Sequence, residues 1–314
     1  MTEFAVELFA GPGGMSTGAR QAGWRGENVG IEWNPDACAT GAAAGHARVC
    51  ADVSTVPPST YMGAAGLLAS PPCPPWSQSG KRLGPRDGLQ VLSRIDAYAC
   101  GINPSEVEWN DTRSVLCAEP MRWAAVLRPR WIVCEQVPGA LPLWRHMAAR
   151  LTELGYSAVA GVLAAEEFGV PQTRRRAVLV ARLDGSAVLP APTHRRYQPG
   201  VPQSAGSPRL LRWVSMHDAL GWGIKDRPAW TVTGGGTRTG GAEVFGNARC
   251  RARLGGRRPT VEDAAVLQGF PRRYPFQGAT QGSRFQQVGD AVPVPLAAAV
   301  LRQVVGDACG EVAA

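Results

Sequence analysis

FAVELFAGPGGMSTGARQA, residues 4–22, decides how the chain is read. Residues 4–8 form a mostly apolar run of strand length, Gly11-Pro12-Gly13-Gly14 is a turn, and residues 15–22 can form a helix. In a doubly wound sheet, a strand, a glycine-rich turn and a helix place a ligand at the carboxyl end of the strand. Further strands are predicted at 28–31, 67–69, 131–134 and 177–180, separated by helix-length segments such as 113–127 and 143–154. This alternation predicts an α/β, doubly wound, Rossmann-like domain whose mostly parallel sheet is covered on both faces.

From about Asp184 the texture changes to short pieces broken by Pro, Gly and Ser, and a helical apolar pattern returns at 261–267 and 295–305. The division expected is 1–183 for a catalytic and cofactor-binding domain, 184–284 for a second, irregular domain, and 285–314 for a segment packing back on the first. The 314 residues, 45% hydrophobic and 18% charged, exclude intrinsic disorder. No apolar stretch approaches a membrane span, and the start lacks a signal peptide's basic flank and apolar run, so a soluble cytoplasmic protein is expected. Eight cysteines without a Cys-x-x-Cys pair and four scattered histidines give no metal site.

Net charge is +8, but it is unevenly spread. Residues 170–258 hold 16 Lys and Arg against four acids, a local +12, and the remainder is −4. A polyanion is the partner this lobe suits, with binding that weakens as salt rises.

At the first turn, Gly11 and Gly13 let the backbone approach a cofactor closely. Glu32, at the end of the second strand, is placed to accept from a ribose, Trp33 to cover an adenine, and Asp52 to accept from the adenine amine. A core tryptophan and a solvated turn aspartate are the plain alternatives for the last two. Ser16 stands where the dinucleotide fingerprint needs glycine, which disfavours a pyrophosphate. S-adenosyl-L-methionine has adenosine and a carboxylate but no pyrophosphate.

Ser70-Pro-Pro-Cys73-Pro-Pro-Trp76 follows an apolar strand, and four prolines fix the backbone around one cysteine. A thiol at a rigid strand end near cations is a nucleophile; a stiffened surface turn is the alternative. The segment from Pro74 to about Gly88 reads as a loop able to close over an anionic ligand. Glu135 leaves a buried strand into a turn and can act as an acid. Arg174 and Arg176 alternate onto one face of an extended segment, where their forks suit base oxygens and phosphates.

In this order the motifs resemble the DNA cytosine-5 methyltransferase family in its bacterial and phage form. Phe9 to Gly14 is similar to its first cofactor motif, Pro71-Pro72-Cys73 to its catalytic Pro-Cys motif, and Glu135-Gln136-Val137 to Glu-Asn-Val. Gln172-x-Arg174-x-Arg176 resembles Gln-x-Arg-x-Arg, the run from Arg258 to Pro271 the motif bordering the recognition region, and Gly289-Asp290-Ala291-Val292-Pro293 the Gly-Asn-Ala-Val-Pro motif. The chain departs from the pattern at Gln136, at Asp290 and in the length of 89–111.

The resemblance implies an S-adenosyl-L-methionine-dependent enzyme that methylates carbon 5 of a flipped-out cytosine in a specific duplex DNA site, with 184–284 as target-recognition domain. Cys73 would add to the base, Glu135 would act at ring nitrogen 3, and Arg174 and Arg176 would hold the base carbonyl and a phosphate. Phe9, Gly11, Gly13, Glu32, Trp33, Asp52, Pro72, Asp290 and Ala291 would hold the cofactor. A monomer paired with a cognate restriction endonuclease is expected. The alternatives are an RNA cytosine-5 methyltransferase of the same fold, a catalytically silent DNA-binding relative and, disfavoured by Ser16, a nicotinamide oxidoreductase.

Overall fold

The computed structural model describes residues 3–73, 76, 84–204, 209–221, 226–234 and 259–305. Seven strands form one sheet in the order β3-β2-β1-β4-β5-β7-β6: β1 (Phe4–Leu8), β2 (Glu27–Glu32), β3 (Ala47–Cys50), β4 (Gly66–Ala69), β5 (Trp131–Gln136), β6 (Ser157–Ala164) and β7 (Arg175–Arg182). β3 to β1, β4 and β5 are parallel, as the alternation of elements predicts. β7 runs antiparallel to both β5 and β6. That reversal carries the start of β7, at Arg175 and Arg176, to the end of β5, at Glu135 and Gln136.

Helices α1 (Gly14–Ala22), α2 (Pro35–Ala43), α3 (Gly84–Ala99), α4 (Glu119–Leu127) and α5 (Leu141–Glu153) connect the strands; α6 (Met216–Leu220), α7 (Val261–Leu267), α8 (Gln281–Asp290) and α9 (Val294–Val305) follow. The predicted helix 113–127 is two elements, because Pro120 sits in the first turn of α4 and a 3-10 turn, Ser114–Ala118, precedes it. The predicted loop to Gly88 ends earlier, since α3 already begins at Gly84; positions 74, 75 and 77–83 lie outside the described residues.

Strand alternation divides the core between the two faces. Ile132, Cys134 and Leu179 point into a cluster with Ile95 of α3, Met121 and Trp123 of α4 and Trp144 of α5. Trp131, Val133 and Val178 point into another with Met15 and Ala19 of α1 and Leu296 and Val300 of α9. α1 and α9 approach closely because Gly14 and Gly18 carry no Cβ: one at Gly14 would overlap the Val292 carbonyl oxygen, and one at Gly18 the Ala297 side chain. The stretch Gln281–Val305 is apolar and long enough to cross a membrane, but it is mostly buried inside the protein. A third cluster joins Met216, Ala229 and Val232 to Leu267, Phe285, Val288 and Val294, running across position 284/285.

Candidate active site

The candidate residues gather at the carboxyl ends of β1, β2, β4 and β5 and the start of β7. At the end of β1 the chain turns through Phe9, Gly11 and Gly13, all at positive φ (57°, 52° and 105°). For Phe9 this conformation costs about 1–3 kcal/mol, a strain that marks functional turns. Gly11 N donates to Glu32 Oε2 at 2.8 Å and Asn34 N to Oε1 at 2.9 Å, so the carboxylate is fixed by two backbone amides. Burial raises the pKa of Glu32, and these bonds oppose the rise.

Trp33 stands 72% exposed beside Glu32. Asp52 Oδ1 accepts from Ser54 N (2.9 Å) and Oγ (2.7 Å), forming a rigid turn beyond β3. A Cβ built at Gly11 would meet nothing within 4 Å, so the turn opens onto free space. An open glycine turn, an anchored carboxylate and an exposed indole fit an adenosine-bearing cofactor.

Behind the turn is a polar network that the sequence reading did not single out. Ser16 Oγ donates to the buried Glu7 carboxylate, and both Nη atoms of Arg48 lie 3.4 Å from Ser16 Oγ. His46 Nε2 is 3.1 Å from Thr17 Oγ1, and Tyr274 OH donates to Pro12 O at 2.7 Å. Burial first, then Arg20 and Arg48, pushes the His46 pKa down to about 3. The available signal was one Glu inside an otherwise apolar strand.

β4 delivers the cysteine. Ser70 N donates to Leu8 O at 3.3 Å, continuing the ladder past β4, and the prolines then carry the chain to the half-buried Cys73, whose carbonyl accepts from Trp76 N at 3.0 Å. Gln136 anchors this segment from β5: its Nε2 donates to Pro71 O at 2.8 Å, while its Oε1 accepts from Val137 N at 2.7 Å. The longer amide at this position thus ties the cysteine turn to the end of β5.

Glu135 and Arg176 form a buried ion pair, Nε to Oε1 2.7 Å. Burial raises the pKa of Glu135, with Arg176, Arg174 and a hydrogen bond from Ser70 opposing it. Ser70 is a further residue to which the sequence reading gave no role; its signal was a polar side chain at a strand end three residues before the cysteine. Burial also raises the Cys73 thiol, as do Asp290 and Glu135, while Arg176 and Arg174 lower it.

Arg174 and Arg176 do not act as equal forks at one face. Arg176 reaches Glu135, whereas Arg174 is spent on backbone: Nη1 donates to Val232 O at 2.8 Å, and Nη2 to Gly289 O at 2.9 Å and Ala291 O at 3.3 Å. Burial and Arg176 push Arg174 down to about 9. A guanidinium sunk among carbonyls organises the frame around the site, a placement that nothing in its local sequence signals. Of the glycine turn after Thr233, only Gly234 falls among the described residues, and Arg238 lies outside them.

The 89–111 stretch has a place as well. α3 runs to Ala99, and the chain then folds back on its own start: Asn110 N and Nδ2 donate to Asp87 Oδ1 (2.9 and 2.8 Å) and Asp111 N to Oδ2 (3.0 Å). Arg94 binds Ser105 O at 3.1 Å and lies 5.6 Å from the Trp109 ring centre.

A family model described as C-5 cytosine-specific DNA methylase matches residues 4–95, 102–207 and 228–306. The chain belongs to that family. It is a DNA cytosine-5 methyltransferase. Type II methyltransferase M.NaeI of Lentzea aerocolonigenes is 29% identical to it, over 95% of this chain and 74% of that protein. Type II methyltransferase M.NgoMIV of Neisseria gonorrhoeae is 26% identical, over 96% of each. Among solved structures, the Entamoeba histolytica methyltransferase EhMeth superposes with a TM-score of 0.67 at 15% identity, covering 98% of this chain and 99% of that one. A putative DNA modification methyltransferase from an Escherichia coli prophage gives 0.61 at 17% identity, covering 97% and 99%. These similarities support the α/β fold read from the alternation of strands and helices.

Proposed function

We propose that this methyltransferase uses S-adenosyl-L-methionine and acts on a cytosine flipped out of a specific duplex DNA site, through a covalent adduct with Cys73. The observation that carries this reading is the convergence of Cys73, Glu135 and Arg176 at neighbouring strand ends, with the Glu135–Arg176 pair at 2.7 Å. Phe9, Gly11, Gly13, Glu32, Trp33, Asp52 and Pro72 would hold the cofactor, with Asp290 and Ala291 at its methionine end. When bound, S-adenosyl-L-methionine supplies an electrophilic sulfonium methyl group.

Carbon 5 of cytosine is not nucleophilic by itself. Addition of the Cys73 sulfur to carbon 6 turns the base into an enamine with electron density at carbon 5. Glu135, kept protonated more readily by burial, gives a proton or hydrogen bond to ring nitrogen 3, and Arg176 steadies that carboxyl group and faces the base carbonyl. With a methyl group on carbon 5, loss of that carbon's proton to a base such as water would re-form the ring double bond as the carbon 6–sulfur bond breaks and the thiolate leaves. Extrusion of the base from the stack costs a few kcal/mol, which contacts in the pocket must offset.

We assign 1–183 to catalysis, 184–284 to target recognition and 285–314 to the segment that closes the fold. The +12 charge of residues 170–258 supports a DNA-facing role for that lobe. A monomer working on DNA in the cytoplasm, alongside a cognate restriction endonuclease, completes the proposal.

The test is incubation with labelled S-adenosyl-L-methionine and either DNA or RNA. Label is expected in DNA only, with none transferred by Cys73→Ala. Label in RNA alone would replace the substrate, and an active Cys73→Ala would remove the nucleophile.

A further inference from the structure

Asp52 sits in the turn that follows β3, and two neighbouring residues of α4 hold the segment beyond it. Arg122 Nη2 donates to the carbonyls of Val53 at 2.9 Å and Val56 at 3.3 Å, and Nη1 reaches the Val56 carbonyl at 3.4 Å. Beside it, the buried Trp123 ring lies 5.7 Å, centre to centre, from the ring of Tyr61, the last residue of a 3-10 turn, Pro58–Tyr61. The chain from Val53 to Tyr61 is thus held at its start by a guanidinium and at its end by an indole.

The guanidinium is itself fixed. Arg122 Nε donates to Glu119 Oε2 at 2.7 Å and Nη2 lies 2.6 Å from the same oxygen, an i,i+3 pair on α4 whose carboxylate is buried. A planar fork of five donors lets one arginine serve a carboxylate and two carbonyls at once, a geometry that a lysine ammonium does not reproduce. Burial raises the pKa of Glu119, the contacts with Arg122 oppose the rise and Asp52 adds to it, so the two carboxylates lie within each other's field.

The turn also aims the Asp52 side chain. Oδ1 accepts from Ser54 N and Oγ, and the Asp52 carbonyl accepts from Thr55 N at 3.0 Å and Thr55 Oγ1 at 2.9 Å. Asp52 is exposed, and its donors Ser54 and Thr55 lie between the two carbonyls that Arg122 grips.

We propose that Arg122 is a positioning residue for adenine recognition, fixing the turn so that the Asp52 carboxylate can accept from the exocyclic amine of the cofactor; the inference rests on the reading of Asp52 as the adenine contact. Arg122 acts through the Val53 and Val56 carbonyls rather than on the cofactor. What it confers is selectivity, because an amine at position 6 of the purine donates to a carboxylate whereas a 6-oxo purine turns a repelling oxygen toward it.

A purely structural role predicts a different pattern. If Arg122 only neutralises Glu119 while the packing of Val53 and Tyr61 fixes the turn, loss of the guanidinium weakens both kinds of purine equally or not at all. The experiment is isothermal calorimetry on the full chain with S-adenosyl-L-homocysteine and with S-inosyl-L-homocysteine, its 6-oxo counterpart. Wild type is compared with Asp52→Ala, Arg122→Lys, which keeps a charge beside Glu119, and Glu119→Gln/Arg122→Met, which removes the pair without leaving a buried charge behind.

Wild type is expected to prefer the adenosine ligand by about tenfold or more, and Asp52→Ala to lose that preference. Arg122→Lys and the double variant are each expected to lower the ratio by about threefold or more, with affinity for the inosine ligand nearly unchanged. A wild-type ratio in either variant, or an equal loss for the two ligands, overturns the proposal while Asp52 keeps its role. Absence of any preference in wild type overturns the Asp52 reading and the proposal with it.

Discussion

Arg176 Nε lies 2.7 Å from Glu135 Oε1, and the two residues reach each other because β7 runs antiparallel to β5. Burial drives the Glu135 pKa up and Arg176 holds it back. Arg176→Gln should let it climb further. In the pH–rate profile of kcat, the limb on which Glu135 loses its proton is expected to shift to higher pH, with kcat reduced throughout. A limb at its wild-type position would separate this arginine from the acid.

Gln136 ties the cysteine turn to β5 through Pro71 O. Gln136→Ala leaves that carbonyl and the Val137 amide without their partners, at about 1–3 kcal/mol for each buried group. The expected result is a fall in kcat of tenfold or more with KM for DNA little changed. An equal loss in both parameters would instead point to general unfolding of the turn.

His46 is buried and its pKa is pushed down to about 3, whereas the unfolded chain titrates near 6.5. Between those values the unfolded state binds the extra proton, so stability falls as pH drops. From pH 6.5 to 5.0 the loss is about 2 kcal/mol. Urea midpoints at pH 7.5 and 5.0 should therefore separate more for wild type than for His46→Gln, which keeps a partner for Thr17.

Burial works to raise the pKa of Asp87, but hydrogen bonds from Asn110, Ser114 and Asp111 outweigh it and hold the carboxyl below its ordinary range. Its stabilising effect is present at neutral pH and is lost as pH falls through that lowered value. Asp87→Ala is expected to cost about 2 kcal/mol or more in urea unfolding. It should also open residues 101–111 to limited proteolysis at pH 7.5, which wild type resists.

Gly18 packs against Ala297 with no room for a side chain. Gly18→Val should lower stability by about 1–3 kcal/mol through overpacking. Thermal unfolding with and without S-adenosyl-L-methionine would check this, with weaker stabilisation by the cofactor because the displaced helix carries its turn.

The parts legible in the sequence were those where chemistry sits at a strand end. The glycine turn after β1, Cys73 after β4 and Glu135 on β5 each combine an apolar run with a polar residue just beyond or at its close, a local pattern. β6 went unread because SAVAGVLA is made of small residues with no clear alternation, and the reversal of β7 has no local signature. The partners of Arg174 are hidden for the same reason. Its partners, Val232, Gly289 and Ala291, are 58 to 117 positions away, and only tertiary folding makes a buried guanidinium the best available donor there.

The glycine contact between α1 and α9 also bears on synthesis. The glycine turn after β1 is synthesised well before the Val292 carbonyl and the Ala297 side chain that back its helix, which lie about 280 positions later in the chain. A nascent chain therefore carries an unsupported turn until α9 emerges and docks, so a molecule cut short before α9 lacks the packing that backs the turn and α1.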